Sequence, residues 1–152
     1  MKSSAVTNFG LALDRILLAL WVGALWTVGF VVAPVLFNEL DRSTAGTVAG
    51  ILFQYLNWGG LAVGVFLLVR ARLATEPRGA ASLLLVLMLL SVLLHQFVFA
   101  PEIATLREAG FAEGSAAATR FGRLHAAASV SYLINAVFGL LLLVIWRRGD
   151  RP

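Results

Sequence analysis

Residues 16–37 read ILLALWVGALWTVGFVVAPVLF, 22 positions without a single Asp, Glu, Lys or Arg. At 1.5 Å per residue a helix of this length covers about 33 Å, enough to cross the hydrocarbon core of a bilayer. In lipid every backbone N–H and C=O must be satisfied within its own segment, which selects a helix over an isolated strand. The stretch carries no polar face of the kind a helix on a soluble domain turns toward water. It predicts a membrane span.

Three more stretches share that character. Ser43–Val69, Gly79–Pro101 and Leu124–Trp146 are free of acidic and basic residues, and each is bounded by charge. Of the 152 residues, 60% are hydrophobic and 13% charged, with a mean hydropathy of +0.89. Soluble domains carry about 25% charged residues. A globule of this size cannot hide so much apolar surface. The expected fold class is all-α, an integral membrane four-helix bundle, with residues 1–152 forming one membrane domain. Its helices are expected at about 11–37, 45–71, 79–101 and 122–146, and its first partner is the lipid bilayer.

Several chemistries are excluded. There are no cysteines, hence no disulfide framework, thiolate metal site or cysteine nucleophile. No glycine-rich phosphate loop or HExxH pair occurs. The net charge of +4 does not point to nucleic acid, because the basic residues sit at the ends of apolar runs. A cleavable signal peptide is not expected, since the first apolar run is too long and no small-residue cleavage site follows it.

The basic residues also predict orientation. Lys2, Arg15, Arg70, Arg72, Arg78, Arg147, Arg148 and Arg151 fall at the N-terminus, the second connection and the C-terminus. The first and third connections hold Arg42, Arg107, Arg120 and Arg123. Eight against four places both termini in the cytoplasm, in a multi-pass protein of the plasma (inner) membrane, with Trp146 as an interfacial anchor. Ser43 is expected to cap the second helix. Pro77 is expected to stop it in a tight turn over Leu73–Arg78. The third connection reads as a helical extension through Ala109, a break at Gly110 and a fresh start near Ser115.

An internal repeat is visible. Phe30-Val31-Val32-Ala33-Pro34 and Phe97-Val98-Phe99-Ala100-Pro101 lie 67 residues apart, each at the outward end of the first helix of a hairpin. Two hairpins of the same orientation would be related by a pseudo-twofold axis along the membrane normal. Each proline removes one N–H and strains the carbonyl four residues back, that of Phe30 or Phe97, so each is expected to bend its helix or call for a partner. Gly60 with Gly64, and Gly46 with Gly50, form small-residue steps that permit close helix contact, within the chain or in a homo-oligomer. Trp26 and Trp58 are both expected to pack inward against small residues such as Gly23, Gly29 and Gly64.

Polar residues inside a span are functional candidates by default. His95 lies about 9 Å below Pro101 along its helix, and His125 sits in the first turn of the last helix. Ser91, His95 and Glu102 share one face; His125, Ser129, Tyr132 and Asn135 share another, and Gln54 and Asn57 belong to the second helix. Together these could line an outward-facing polar pocket, with Arg120 and Arg123 above it and Glu102 pairing with either. Three readings compete. The polar groups are interhelical glue, worth about 0.6 kcal/mol each. Alternatively, His95 and His125 bind a transition metal or ligate a haem whose carboxylates Arg120 and Arg123 hold. In the third, the pocket passes a small solute or a proton, although Leu83–Leu90 is uniformly apolar.

Trp26–Leu40, ending in VVAPVLFNEL, the Ala-Gly-x-x-x-Gly-x-Leu-Phe run of Ala45–Phe53, Pro101, and Phe121-Gly-Arg123-Leu-His125 resemble the transmembrane protein 205-like family. The resemblance implies a four-helix membrane bundle with no settled activity. It also implies distant similarity to membrane proteins of the copper-resistance D and membrane-bound protoporphyrinogen oxidase types, which keeps a metal or haem in view. Of the candidate site residues only Phe121, Arg123 and His125 carry over. His95 matches no family histidine, and Glu102 stands where a basic residue can occur. With no catalytic constellation in the chain, the function expected is that of a non-catalytic binding or accessory membrane protein.

Overall fold

The structure, a computed structural model, describes residues 2–73 and 79–146, with side chains from Phe9 onward. Pro77 and its turn, and Arg147, Arg148 and Arg151, lie outside the described residues. The elements are α1 (Lys2–Thr27), a π-helical turn π1 (Val28–Val32), α2 (Ala33–Glu39), α3 (Arg42–Leu73), α4 (Gly79–Leu94), a second π-helical turn π2 (His95–Phe99), α5 (Ala100–Ala109) and α6 (Ala116–Trp146). No strand occurs among the described residues. Stacked end to end they form four helices long and apolar enough to cross a membrane: Phe9–Glu39, Arg42–Leu73, Gly79–Ala109 and Ala116–Trp146. Neighbours around the bundle run α1, α3, α4, α6 and back to α1.

Both prolines sit where the helix changes pitch. Ala33 donates its N–H to Val28 O and Ala100 donates to His95 O, each five residues back instead of four. Widening the turn ahead of Pro34 and Pro101 relieves the clash between the ring and the preceding carbonyls without breaking the helix. The two π turns are themselves 67 residues apart, so the repeated motif has the same backbone geometry in both hairpins.

Core packing repeats with them. Leu18, Trp21 and Val22 are buried, and so are Leu85, Met88 and Leu89, each 67 positions later. Gly64, Leu67 and Ala71 are buried, as are Gly139, Leu142 and Trp146, each 75 positions later. The close approaches complete the symmetry. A methyl group added at Gly64 would lie 2.7 Å from Leu89 Cδ2 and 3.0 Å from Trp21 Cη2. One added at Gly139 would lie 2.8 Å from Val22 Cγ2 and 3.4 Å from Met88 Cε. The partners exchange as a twofold axis along the bundle demands, Trp21 for Met88 and Leu89 for Val22. The two hairpins share one packing pattern.

Two sequence expectations need correction. The glycine step at Gly60 and Gly64 receives Trp21, whose Nε1 would sit 2.5 Å from a Cβ at Gly60. Trp58 instead is 50% exposed and packs edge-on against Phe97, at a surface that faces lipid. Trp26 does turn in, donating Nε1–H to Ala136 O at 3.3 Å and stacking on Phe30. The cap of α3 is Asp41 and not Ser43: Asp41 Oδ1 accepts the N–H groups of Ser43 and Thr44, each at 3.0 Å. Hydrogen bonds from Thr44 and Ser43 hold this carboxyl below the ordinary aspartate range. Its contribution is complete above that range and fades as pH falls through the lowered value.

At the third connection the reading holds. α5 ends at Ala109, Gly110 takes φ +66°, which favours glycine, and Ser115 Oγ accepts Ala118 N–H at 3.1 Å to start α6. Because small residues carry the helix contacts, Gly64→Ala and Gly139→Ala should each lose about 1–3 kcal/mol relative to Gly23→Ala, whose added methyl meets nothing within 4 Å. Unfolding in mixed micelles measures this; equal stability in all three would refute the packing scheme.

Candidate functional site

Three polar layers cross the bundle. The first joins α1 to α3 at the ends remote from the α5–α6 cap. Asp14 is 2% exposed, and Arg70 grips it with two bonds, Nε to Oδ1 at 2.9 Å and a terminal nitrogen to Oδ2 at 3.2 Å. Gly10 makes room, since a Cβ there would lie 2.6 Å from the guanidinium. The pair is absent from the sequence-derived site, where Arg70 enters only as an orientation signal and Asp14 does not enter. The signal available was an acidic residue one turn from the first charge-free run and a basic one at the matching end of the next.

A second layer lies mid-bundle. Ser91 and Ser131 hydroxyls meet at 2.9 Å, and Ser91 also donates to Ser131 O at 3.3 Å. Asn135 is buried with Oδ1 unpartnered, and Trp21 Nε1 is likewise buried without a partner. Asn57 is buried and donates Nδ2–H to Gln96 Oε1 at 3.2 Å.

The third layer surrounds π2, toward the cap. Tyr132 donates its hydroxyl to Leu25 O and lays its ring where a side chain at Gly29 would be. Phe53 packs against Tyr132 edge-on at 5.1 Å and against His95 at 6.3 Å; Phe99 flanks His95 at 6.4 Å. His95 is half-buried, and its Nδ1 is buried with no hydrogen-bond partner. His125 is within electrostatic range of it. His125 itself is exposed and stacked on Phe121, 6.0 Å between centroids and 5° between planes.

The remaining expected pocket residues scatter. Gln54 is exposed, and Ser129 is exposed with its hydroxyl donating back to His125 O at 2.9 Å. Glu102 accepts from Arg120 at 2.6 Å, and Arg123 is exposed beside them. Arg107, absent from the sequence-derived set, donates to Gly46 O at 2.9 Å and fills the Gly46–Gly50 step.

A metal or haem fits these residues poorly. Among the described residues no group of three or more His, Cys, Asp or Glu could hold an ion. For a haem, both imidazoles would have to turn to one iron. Instead, His125 lies flat on Phe121, the Phe53 and Phe99 rings flank His95, and Arg120 is engaged by Glu102.

A family model described as a domain of unknown function, DUF4149, matches residues 16–112. The chain belongs to the DUF4149 family. The match takes in both π turns, His95, Gln96 and Asn57, and ends before α6, so Arg120, Arg123, His125, Tyr132 and Asn135 fall outside it. No curated protein and no solved structure matches the chain. The DUF4149 assignment names a family and no activity.

The Asp14–Arg70 pair can be tested apart from any ligand. Arg70→Ala leaves a buried carboxylate unpaired and should destabilise the bundle by about 1–3 kcal/mol, less than a fully enclosed pair because Arg70 is 40% exposed. Combining it with Asp14→Asn should recover part of that loss in a double-mutant cycle. Additive effects would remove the pair from the fold's energetics.

Proposed function

We propose that the chain is a non-catalytic binding or accessory protein of the plasma membrane, similar to the transmembrane protein 205-like family, with an outward-facing polar site around π2. One observation carries this. The first hairpin builds the same π turn with Val28 where the second has His95, so the turn does not require an imidazole. The buried Nδ1 of His95 also meets no partner, so that nitrogen does not bond one helix to another. A polar group that is desolvated, unbonded and unnecessary for the backbone is costly in lipid, and a ligand that hydrogen-bonds to it offsets that cost. Tyr132, Phe53 and Phe99 supply the apolar walls, and Asn57 with Gln96 the polar floor. A solute carrier would need a polar route onward, and the layer beyond is closed by Leu18, Leu67, Leu85, Met88 and Leu142, all fully buried.

His95→Val copies the first hairpin into the second and should leave far-UV circular dichroism and thermal unfolding unchanged. Native mass spectra of wild-type protein released from nanodiscs should show a bound small-molecule mass that His95→Val lacks. Identical spectra for the two proteins would end the proposal. A Soret band or a bound transition metal would replace it with a redox reading.

The outward orientation has its own test, made clean by the absence of cysteine. Glu113→Cys, exposed in the cap, should react with a membrane-impermeant maleimide applied to intact cells, and Gly79→Cys only after lysis. The reverse pattern would turn the site to the cytoplasm.

A further inference from the structure

We infer that the exposed face of α6 at the cap end holds the headgroup of an anionic phospholipid. Thr119, Arg120, Arg123 and Leu124 line a shallow open groove there, one helical face over two turns. Arg120 is paired with Glu102 at 2.6 Å. Arg123 is exposed and has no ion-pair partner among the described residues. Glu102 cancels one charge, so the groove keeps one guanidinium to answer one phosphate, whose oxygens suit that planar fork.

Depth and continuity select a lipid over a free anion. Glu102 follows Pro101, where the charge-free stretch of the third span ends, so its contact with Arg120 sets these arginines at the border of the hydrocarbon. Below Arg123 the same face of α6 continues through Val130, Ile134, Val137 and Leu141, each between 41% and 57% exposed. A phosphate held by Arg123 would therefore have its acyl chains lying along a stripe that already faces lipid. Neither the ion pair nor the stripe involves His95, so this site stands apart from the one proposed above.

The test uses the full chain in nanodiscs of equal phosphatidylglycerol and phosphatidylcholine, with retained lipid read by native mass spectrometry. Wild type should keep phosphatidylglycerol in preference, and Arg123→Gln should lower that retention about fivefold. Arg123→Lys, which keeps the charge, should hold most of it. Arg42→Gln removes an exposed positive charge at the same end of the bundle and should change nothing. Equal retention of the two lipids would overturn the inference, as would equal losses in the Arg42 and Arg123 variants, which would indicate a general surface potential. Displacement by inorganic phosphate would assign the groove to a soluble anion and overturn it too.

Discussion

Two glycines set the distance at which everything else in this bundle is placed. Lipid tails are as apolar as leucine, so water does not press the helices together, and association depends on how closely backbones can approach. Gly64 admits Leu89 and Trp21; Gly139 admits Val22 and Met88. These four side chains meet near the axis, and the fully buried layer of Leu18, Leu67, Leu85 and Leu142 follows from their spacing. A side chain at either glycine would push one hairpin from the other. The Trp26 bond to Ala136 and the Tyr132 bond to Leu25, both across the α1–α6 contact, depend on the same separation.

The spans were legible because hydrocarbon imposes a single coarse rule, charge outside and apolar residues within. The repeat was legible because Pro34 and Pro101 punctuate it. The way each proline is accommodated was not. Sequence indicates that Phe30 and Phe97 carbonyls are strained, but a bend, a borrowed partner and a wider turn all answer that strain, and the i−5 bonds of Ala33 and Ala100 are decided by the backbone around them. Cap choice failed for a related reason. Asp41 and Ser43 are both good N-caps, and only the path of the chain out of Leu40 selects Asp41.

Side-chain direction was the least legible feature. A hydrophobic stripe identifies a helix face, yet these helices are apolar all round, so Trp21 and Trp58 look alike in sequence while one is 4% exposed and the other 50%. The same ambiguity spread the expected pocket too widely. Gln54 and Asn57, three positions apart, were assigned to one site, but Asn57 faces Gln96 and Gln54 faces outward. Arg107 entered only as an orientation signal, although a long side chain can return to a helix end and cover a small-residue step.

The repeated pattern separates what the fold requires from what is particular to the second hairpin. Matched positions show what a shared backbone tolerates: Ala24 and Ser91, Val28 and His95, Gly29 and Gln96, Val35 and Glu102, Leu40 and Arg107 are pairs 67 residues apart in which the second member alone is polar. All but Ser91 lie at or beyond the second π turn, on the side of the cap. The first hairpin does without them and folds into the same shape, so backbone relief at the proline cannot be their purpose. Four of the five have structural partners, Ser91 in Ser131, Gln96 in Asn57, Glu102 in Arg120 and Arg107 in Gly46. His95 has none for its buried nitrogen. In a pseudo-symmetric bundle, the position where symmetry is broken by a polar group without an internal partner is the one whose partner is most reasonably sought outside the chain.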